Sequence, residues 1–264
     1  KTLFKEQKQK TPHELYQEGN WNFKTFLDTA KKMTLYAADG KTVKTYGVGT
    51  WNYALFMYAN GGKGLSEKDG KLTASIDQKP EMEGLQLLYD LVNAGAFYTG
   101  DSYMGFGRRV VAMHLEQPLN AVGNYDYYNN MEDEIGIVPL PMANDGKYYA
   151  PKAGGAMVVP RNAQNPLGGV AYAYEMAVFD NDRFFNSTLD FDLMYRRMSI
   201  SDEDLALYLD YRKTAVPLMS YMESLSGWWD GGYRDKFWDA IVKDKKKPAE
   251  AVASMKSVLE SCID

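Results

Sequence analysis

The sequence predicts an α/β protein. Short apolar runs rich in β-branched residues cluster between residues 105 and 160, stretches with helical spacing lie on both sides of them, and Gly, Pro, Asn or Asp bounds most of these segments. The apolar runs are residues 109–115 (RVVAMHL), 135–139 (IGIVP) and 155–159 (GAMVV), lengths that suit buried strands. The first is followed by Glu116-Gln117-Pro118-Leu119-Asn120 and a Tyr/Asn-rich segment to Asn130. A polar, aromatic loop leaving the end of a buried strand is where open α/β sheets hold ligands. Asn144-Asp145-Gly146-Lys147 is a tight-turn signal, and the pair Gly154-Gly155 ahead of the third run lets another group approach the backbone closely.

From the start of the chain, residues 1–10 are charged and aperiodic and read as a linker. Phe23, Phe26, Leu27, Ala30 and Met33 share one helix face, with Asn20 or Asn22 as the cap and Trp21 packing on the first turn. Asp39-Gly40 marks a turn before a strand at 45–49, and the latter part of 50–62 reads as a short helix stopped by Gly61-Gly62. Trp51 and Tyr53 stand at that strand-to-helix junction, where side chains point over a sheet end, though core packing explains them equally well. Asp69-Gly70 sits in a hairpin-like segment. Pro80 opens a helix whose buried stripe is Met82, Leu85, Leu88, Leu91 and Val92, ended by Gly95. A helix follows Asn165-Pro166, and Ser201 to Asp204 resembles a capping box before Leu205 and Leu209. Residues 213–217 look extended, Trp228-Trp229 lie in a glycine-flanked loop, and helices are expected over 233–243 and 248–261.

The 264 residues are 45% hydrophobic and 25% charged, the balance of a globular chain long enough for a large core or two lobes. A formal charge of −5 argues against a nucleic-acid partner held by phosphate neutralisation, and Lys243 to Lys247 read as a solvated helix end. Cys262 is the single cysteine, so there is no disulfide partner within the chain and no zinc–thiolate cluster. No apolar run approaches the ~18 residues of a membrane span. The start at Lys1, without signal peptide or initiator Met, suggests a processed protein or a piece of a longer one. The 20 Tyr and 5 Trp exceed what packing alone requires.

Catalytic signals are thin, and no cofactor is indicated. His13 and His114 are far apart in sequence, and His114, at a strand end, reads as a core or rim histidine. No GxSxG elbow occurs, and Gly105-Phe106-Gly107 breaks the dinucleotide pattern and precedes a strand. Asp180-Asn181-Asp182 and Asp190-Phe191-Asp192 lack the spacing of a calcium loop, so no metal site is expected. A glycoside hydrolase needs two carboxylates about 5–10 Å apart, and Glu116, Asp126 and Asp230 are candidates that sequence alone cannot pair.

Taken in order, several motifs resemble the extracellular solute-binding proteins of bacterial ABC importers, of the maltose- and oligosaccharide-binding type. They are Thr11-Pro12 with Gly19-Asn20-Trp21-Asn22-Phe23 and Ala30-Lys31-Lys32-Met33-Thr34, then Asp39-Gly40-Lys41 with Tyr46-Gly47, and Tyr58-Ala59-Asn60-Gly61-Gly62. Leu85 to Gly95, Phe106-Gly107 with Val111-Ala112-Met113, and Ile135-Gly136 with Pro139-Leu140-Pro141 and Gly154-Gly155 complete the series. The likeness covers residues 11–160 and is looser beyond them.

The resemblance implies a type II periplasmic-binding-protein-like lobe, a mixed sheet flanked by helices, plus part of a second lobe. Residues 11–158 and 215–264 would form the C-terminal lobe, residues 159–214 would belong to the N-terminal lobe, and the chain would cross near 158–160 and return near 214–217. The implied function is non-enzymatic: the substrate-binding component of an importer, taking an oligosaccharide in the interlobe cleft and delivering it to the permease subunits. It also implies an extracellular place, periplasmic or lipid-anchored as a lipoprotein. Trp51, Tyr53 and Trp228 or Trp229 would supply stacking faces, Glu116, Asn120, Asp230 and Arg234 hydroxyl partners, and Gly154-Gly155 the cleft end of a crossing strand. The Trp that some sugar binders carry shortly after the Val111-Ala112-Met113 strand is absent from Pro118-Leu119-Asn120, which leaves the sugar class open. A glycoside hydrolase, or a binder of peptides or polyamines, is the competing expectation.

Overall fold

A computed structural model describes residues 1–116, 131–152, 159–180, 201–220, 222, 225, 228 and 232–263. Its main sheet is built on β2 (Val43–Gly49). β1 (Leu35–Tyr36) pairs with β2 antiparallel, whereas β5 (Phe97–Tyr98) and β6 (Val111–His114) pair with it in parallel, so the sheet is mixed. β3 (Leu65–Lys68) and β4 (Lys71–Ala74) form the hairpin expected around Asp69-Gly70. Both turn residues have positive φ, 55° and 74°, which a tight hairpin turn favours and which Gly70 adopts without strain.

The helices follow the apolar spacing. α1 (Thr2–Glu6), α2 (Pro12–Gln17) and α3 (Phe23–Lys32) precede the sheet. Asn22 caps α3: its Oδ1 accepts the Thr25 N–H at 3.1 Å while Thr25 Oγ1 accepts the Asn22 N–H at 3.0 Å. Trp21 is buried, edge-on to Phe26, and its indole N–H donates to the Pro139 carbonyl at 2.8 Å. α4 (Ala54–Ala59) is buried at every position. It packs on α5 (Lys79–Asn93), whose inward stripe is Leu85, Leu88, Leu91 and Val92. α6 (Ser102–Gly107) lies between β5 and β6. α7 (Pro166–Asp180), α8 (Asp202–Thr214), α9 (Tyr233–Val242) and α10 (Pro248–Ile263) follow, and α9 and α10 close the core with Phe237, Trp238, Ile241, Val252 and Leu259.

Three features depart from the sequence expectations. Residues 1–10 hold a helix, because Phe4 finds an apolar seat in the core (3% exposed) and Lys5 pairs with Glu134 at 2.6 Å. Residues 135–139 are not a strand: the Ile137 N–H donates to Asp204 Oδ1 at 3.2 Å, the Pro139 carbonyl accepts from Trp21, and Pro139 has no N–H to offer. The strand that forms instead is β7 (Tyr149–Lys152), parallel to β8 (Val216–Met219), so the expected return near 214–217 pairs with chain ahead of Gly154-Gly155. Of the expected strand at 155–159, residues 155–158 lie outside the described residues.

α8 is tied to the body by one buried carboxylate. Asp204 is wholly inaccessible and accepts from Ser201 Oγ (2.6 Å), His13 Nδ1 (3.0 Å), the Ile137 N–H and Lys1 Nζ. Ser201 also caps the helix through the Asp204 N–H at 3.2 Å, as its sequence position predicted. Leu205, Tyr208 and Leu209 then pack around Ile135 with Tyr103, Phe106 and Ile137. α7 is different: Leu167, Val170, Tyr172 and Tyr174 are exposed along it.

Candidate functional site

β2 and β6 run in parallel with Gly49 opposite His114, and the Leu115 N–H continues the ladder to the Gly49 carbonyl at 3.1 Å. Trp51 and Glu116 each lie two residues past that register pair. They therefore leave the sheet side by side, at the carboxyl ends of the parallel strands, where such sheets hold ligands. Thr50 Oγ1 accepts the Asn52 N–H at 3.0 Å and Asn52 Oδ1 accepts the Ala54 N–H at 3.2 Å, fixing the backbone on either side of Trp51 as it turns into α4. The half-buried Trp51 indole donates its N–H to Glu116 Oε2, and the Tyr103 hydroxyl donates to the same oxygen.

Tyr103 is delivered by α6, whose N-terminus is capped by Asp101 Oδ1 accepting the Met104 N–H at 3.0 Å. The Tyr103 ring stands edge-on to His114, centroids 4.7 Å apart. His114 Nε2 and Ser102 Oγ share a hydrogen bond of 3.1 Å. Arg234, on the first turn of α9, reaches back over Trp51. Its Nη2 donates to the Trp51 carbonyl at 3.1 Å and its guanidinium carbon lies 6.0 Å from the centroid of the Trp51 ring, a cation–π distance. The start of α9 is held there by the Arg234 N–H donating to the Trp228 carbonyl at 3.1 Å.

Of the residues expected at the site, Trp51, Glu116 and Arg234 come together. Tyr53 is half-buried with its ring against Phe97 and Trp238, centroids 5.6 and 5.8 Å away, and burial raises its hydroxyl pKa. Trp228 departs from the expected stacking role: only 2% of it is exposed, because its indole joins the core cluster beneath α9. Asn120, Gly154, Gly155, Trp229 and Asp230 lie outside the described residues, as does Asp126. Tyr103 was missed by the sequence reading, although Asp101 as a helix cap one short helix ahead of the 109–115 run was a usable signal. Among the described residues no group of three or more His, Cys, Asp or Glu is placed to hold a metal ion, and no helix is long and apolar enough to cross a membrane.

Burial pushes the His114 imidazole down to about 4. Its folded pKa thus lies below the unfolded value near 6.5, so the unfolded chain binds the extra proton and stability falls as pH drops through 6.5 towards 4. Between pH 7.5 and 5 the expected loss from this group is about 2 kcal/mol. Urea unfolding across that range should show the slope and His114→Gln should flatten it, while an imidazole that titrates by NMR near 6.5 would contradict it.

Neither a protein-family model nor a curated protein sequence matches the chain. Solved structures do share its fold. The UgpB protein of Mycobacterium tuberculosis, solved in complex with glycerophosphocholine, is 12% identical with a TM-score of 0.62, over 92% of this chain and 63% of that one. The maltose/maltodextrin-binding domain MalE of Bdellovibrio bacteriovorus, bound to maltotriose, is 15% identical with a TM-score of 0.57, over 91% of this chain and 66% of that one. The fold is therefore that of the type II periplasmic binding proteins, and the chain spans somewhat less than two thirds of the length of these two structures.

Proposed function

We propose that the chain is part of the substrate-binding component of an ABC importer and binds a carbohydrate, an oligosaccharide in a cleft between two lobes, without converting it. The observation that carries this reading is an anchored indole at the carboxyl ends of parallel strands. Trp51 sits beside Glu116 and Arg234 in a fold shared with a maltotriose-bound protein. A sugar ring has an apolar C–H face that stacks on an indole, while its hydroxyls take planar polar partners, for which the Arg234 guanidinium is placed beside the ring.

Trp229 would offer a second face, and Asn120, Asp230 and Gly154-Gly155 further polar contacts. Of residues 159–214, expected in a second lobe, the α7 part supports that reading, because the apolar side chains it leaves exposed call for a body packed against them, whereas α8 is held on the lobe described above by Asp204 and the packing around Ile135. Ligand touching both lobes would favour a closed state, which the permease subunits recognise, and the protein would work outside the cytoplasmic membrane, in the periplasm or on a lipid anchor.

Titration with maltotriose, glycerophosphocholine and spermidine, followed by calorimetry and tryptophan fluorescence on this chain and on a longer polypeptide that contains it, tests the reading. Saturable binding of maltotriose, weakened about 10- to 100-fold by Trp51→Ala, is the expected result, from the ~1.5–3 kcal/mol of a lost stacking face. Saturation by glycerophosphocholine or spermidine but not maltotriose would overturn the carbohydrate assignment. Consumption of maltotriose would replace the binding protein by a glycoside hydrolase.

A further inference from the structure

We propose that Glu116 and Tyr103 are positioning residues: they hold the Trp51 indole as a rigid platform instead of meeting the ligand themselves. The inference rests on the reading of Trp51 as the stacking face and assigns to Glu116 a different task from the hydroxyl partner expected of it.

The arrangement around the ring carries the inference. An indole has one polar atom, and here Glu116 Oε2 accepts from it. Bonds to a charged acceptor are about twice as strong as neutral ones. The Tyr103 hydroxyl donates to that same oxygen, so the carboxylate is itself held from a second direction. Tyr103 is itself packed: His114 stands edge-on to its ring, and it lies against the cluster around Ile135. Arg234 adds a grip on the Trp51 carbonyl and covers the ring. The indole is thereby held at its N–H, over its face and at its backbone.

The physical gain is preorganisation. A large side chain that must be immobilised on binding gives up conformational freedom, and a ring already fixed escapes that cost. The carboxylate oxygen engaged by Trp51 and Tyr103 is committed to those donors. Its removal should therefore act through the ring's order.

Nitrogen-15 relaxation of the Trp51 indole N–H in the ligand-free protein reads the ring directly, the resonance being assigned by its loss in Trp51→Phe. In the parent chain the indole should be as ordered as the backbone. Glu116→Gln should shift the resonance upfield and make it mobile, and Tyr103→Phe should do so to a smaller extent, while the other four indole signals stay in place. Unchanged Trp51 order in both variants overturns the proposal, and Tyr103→Phe alone decides it if Glu116→Gln does not fold. Maltotriose affinity supplies the second readout. Glu116→Gln should weaken binding about 3- to 10-fold in the parent and have no effect in the Trp51→Ala background. A loss that persists without the indole would make Glu116 a direct ligand contact and overturn the positioning role. If no saccharide binds, the carbohydrate reading fails while the relaxation data still decide the grip on the ring.

Discussion

Asp204→Ala is expected to lower the free energy of unfolding by about 3–5 kcal/mol, the range for removing one member of a buried charge network. The carboxylate has no exposed surface, and Ser201, His13, Ile137 and Lys1 all donate to it. These donors come from four separate parts of the chain. Truncation leaves His13, the Ile137 N–H and Ser201 without this acceptor and Lys1 with only Ser201 and Glu134, and a stranded buried donor such as His13 costs about 1–3 kcal/mol. His13 is the most exposed to this loss: its Nε2 lies 3.2 Å from Glu203 Oε1 but out of line for a hydrogen bond, so Nδ1 carries its anchoring to α8. Asp204→Asn keeps the volume but turns an amide N–H towards donors, and should cost a large part of the same amount. Urea unfolding at pH 7 measures both variants, and hydrogen exchange at the Ile137 amide should accelerate in each. A loss under about 1 kcal/mol would mean that desolvation of the carboxylate cancels its bonds.

Gly47→Ala is expected to destabilise by about 3 kcal/mol, at the upper end of overpacking penalties. Gly47 lies in the central strand β2, and a Cβ there would stand 2.0 Å from the Ala30 carbonyl oxygen, 2.5 Å from its carbon and 2.6 Å from its Cα. All three atoms are backbone of α3. That helix is held by its Asn22–Thr25 cap and by Phe26 and Met33 in the core, so it cannot withdraw without opening the core. Thermal unfolding reads the effect, and Ala30→Gly added to it separates the causes. Because the clash is with the carbonyl and not the methyl group, the second substitution should give no rescue. Recovery would place the conflict in the side chain instead.

Local order was legible in the sequence because short-range chemistry sets it. The apolar stripe of α3, its Asn22 cap, the Asp69-Gly70 hairpin, Pro80 and Gly95 at the ends of α5, and the Ser201 cap of α8 all form where residue spacing places them. So does the centre of the sheet at 45–49 and 111–114. Residues 135–139 misled because a β-branched run also suits an extended segment whose backbone groups are claimed by side chains, here Asp204 and Trp21. Trp228 looked like a partner of Trp229 in one loop, but which of two adjacent indoles turns inward depends on the core beneath them.

Sequence by itself determined the α/β class, the cysteine-poor and acidic character that argues against disulfides and nucleic acid, and the candidacy of Trp51, Glu116 and Arg234. Only the tertiary structure decided that these three meet. Parallel pairing of Gly49 with His114 sets Trp51 beside Glu116 across 65 positions of chain, and the docking of α9 brings Arg234 over the ring from 183 positions away. Tyr103 and the Asp204 network belong to the same class of fact. Caps, turns and helix faces depend on neighbours within a few residues, whereas a hydrogen bond between distant side chains depends on strand register and core packing, which no local pattern encodes.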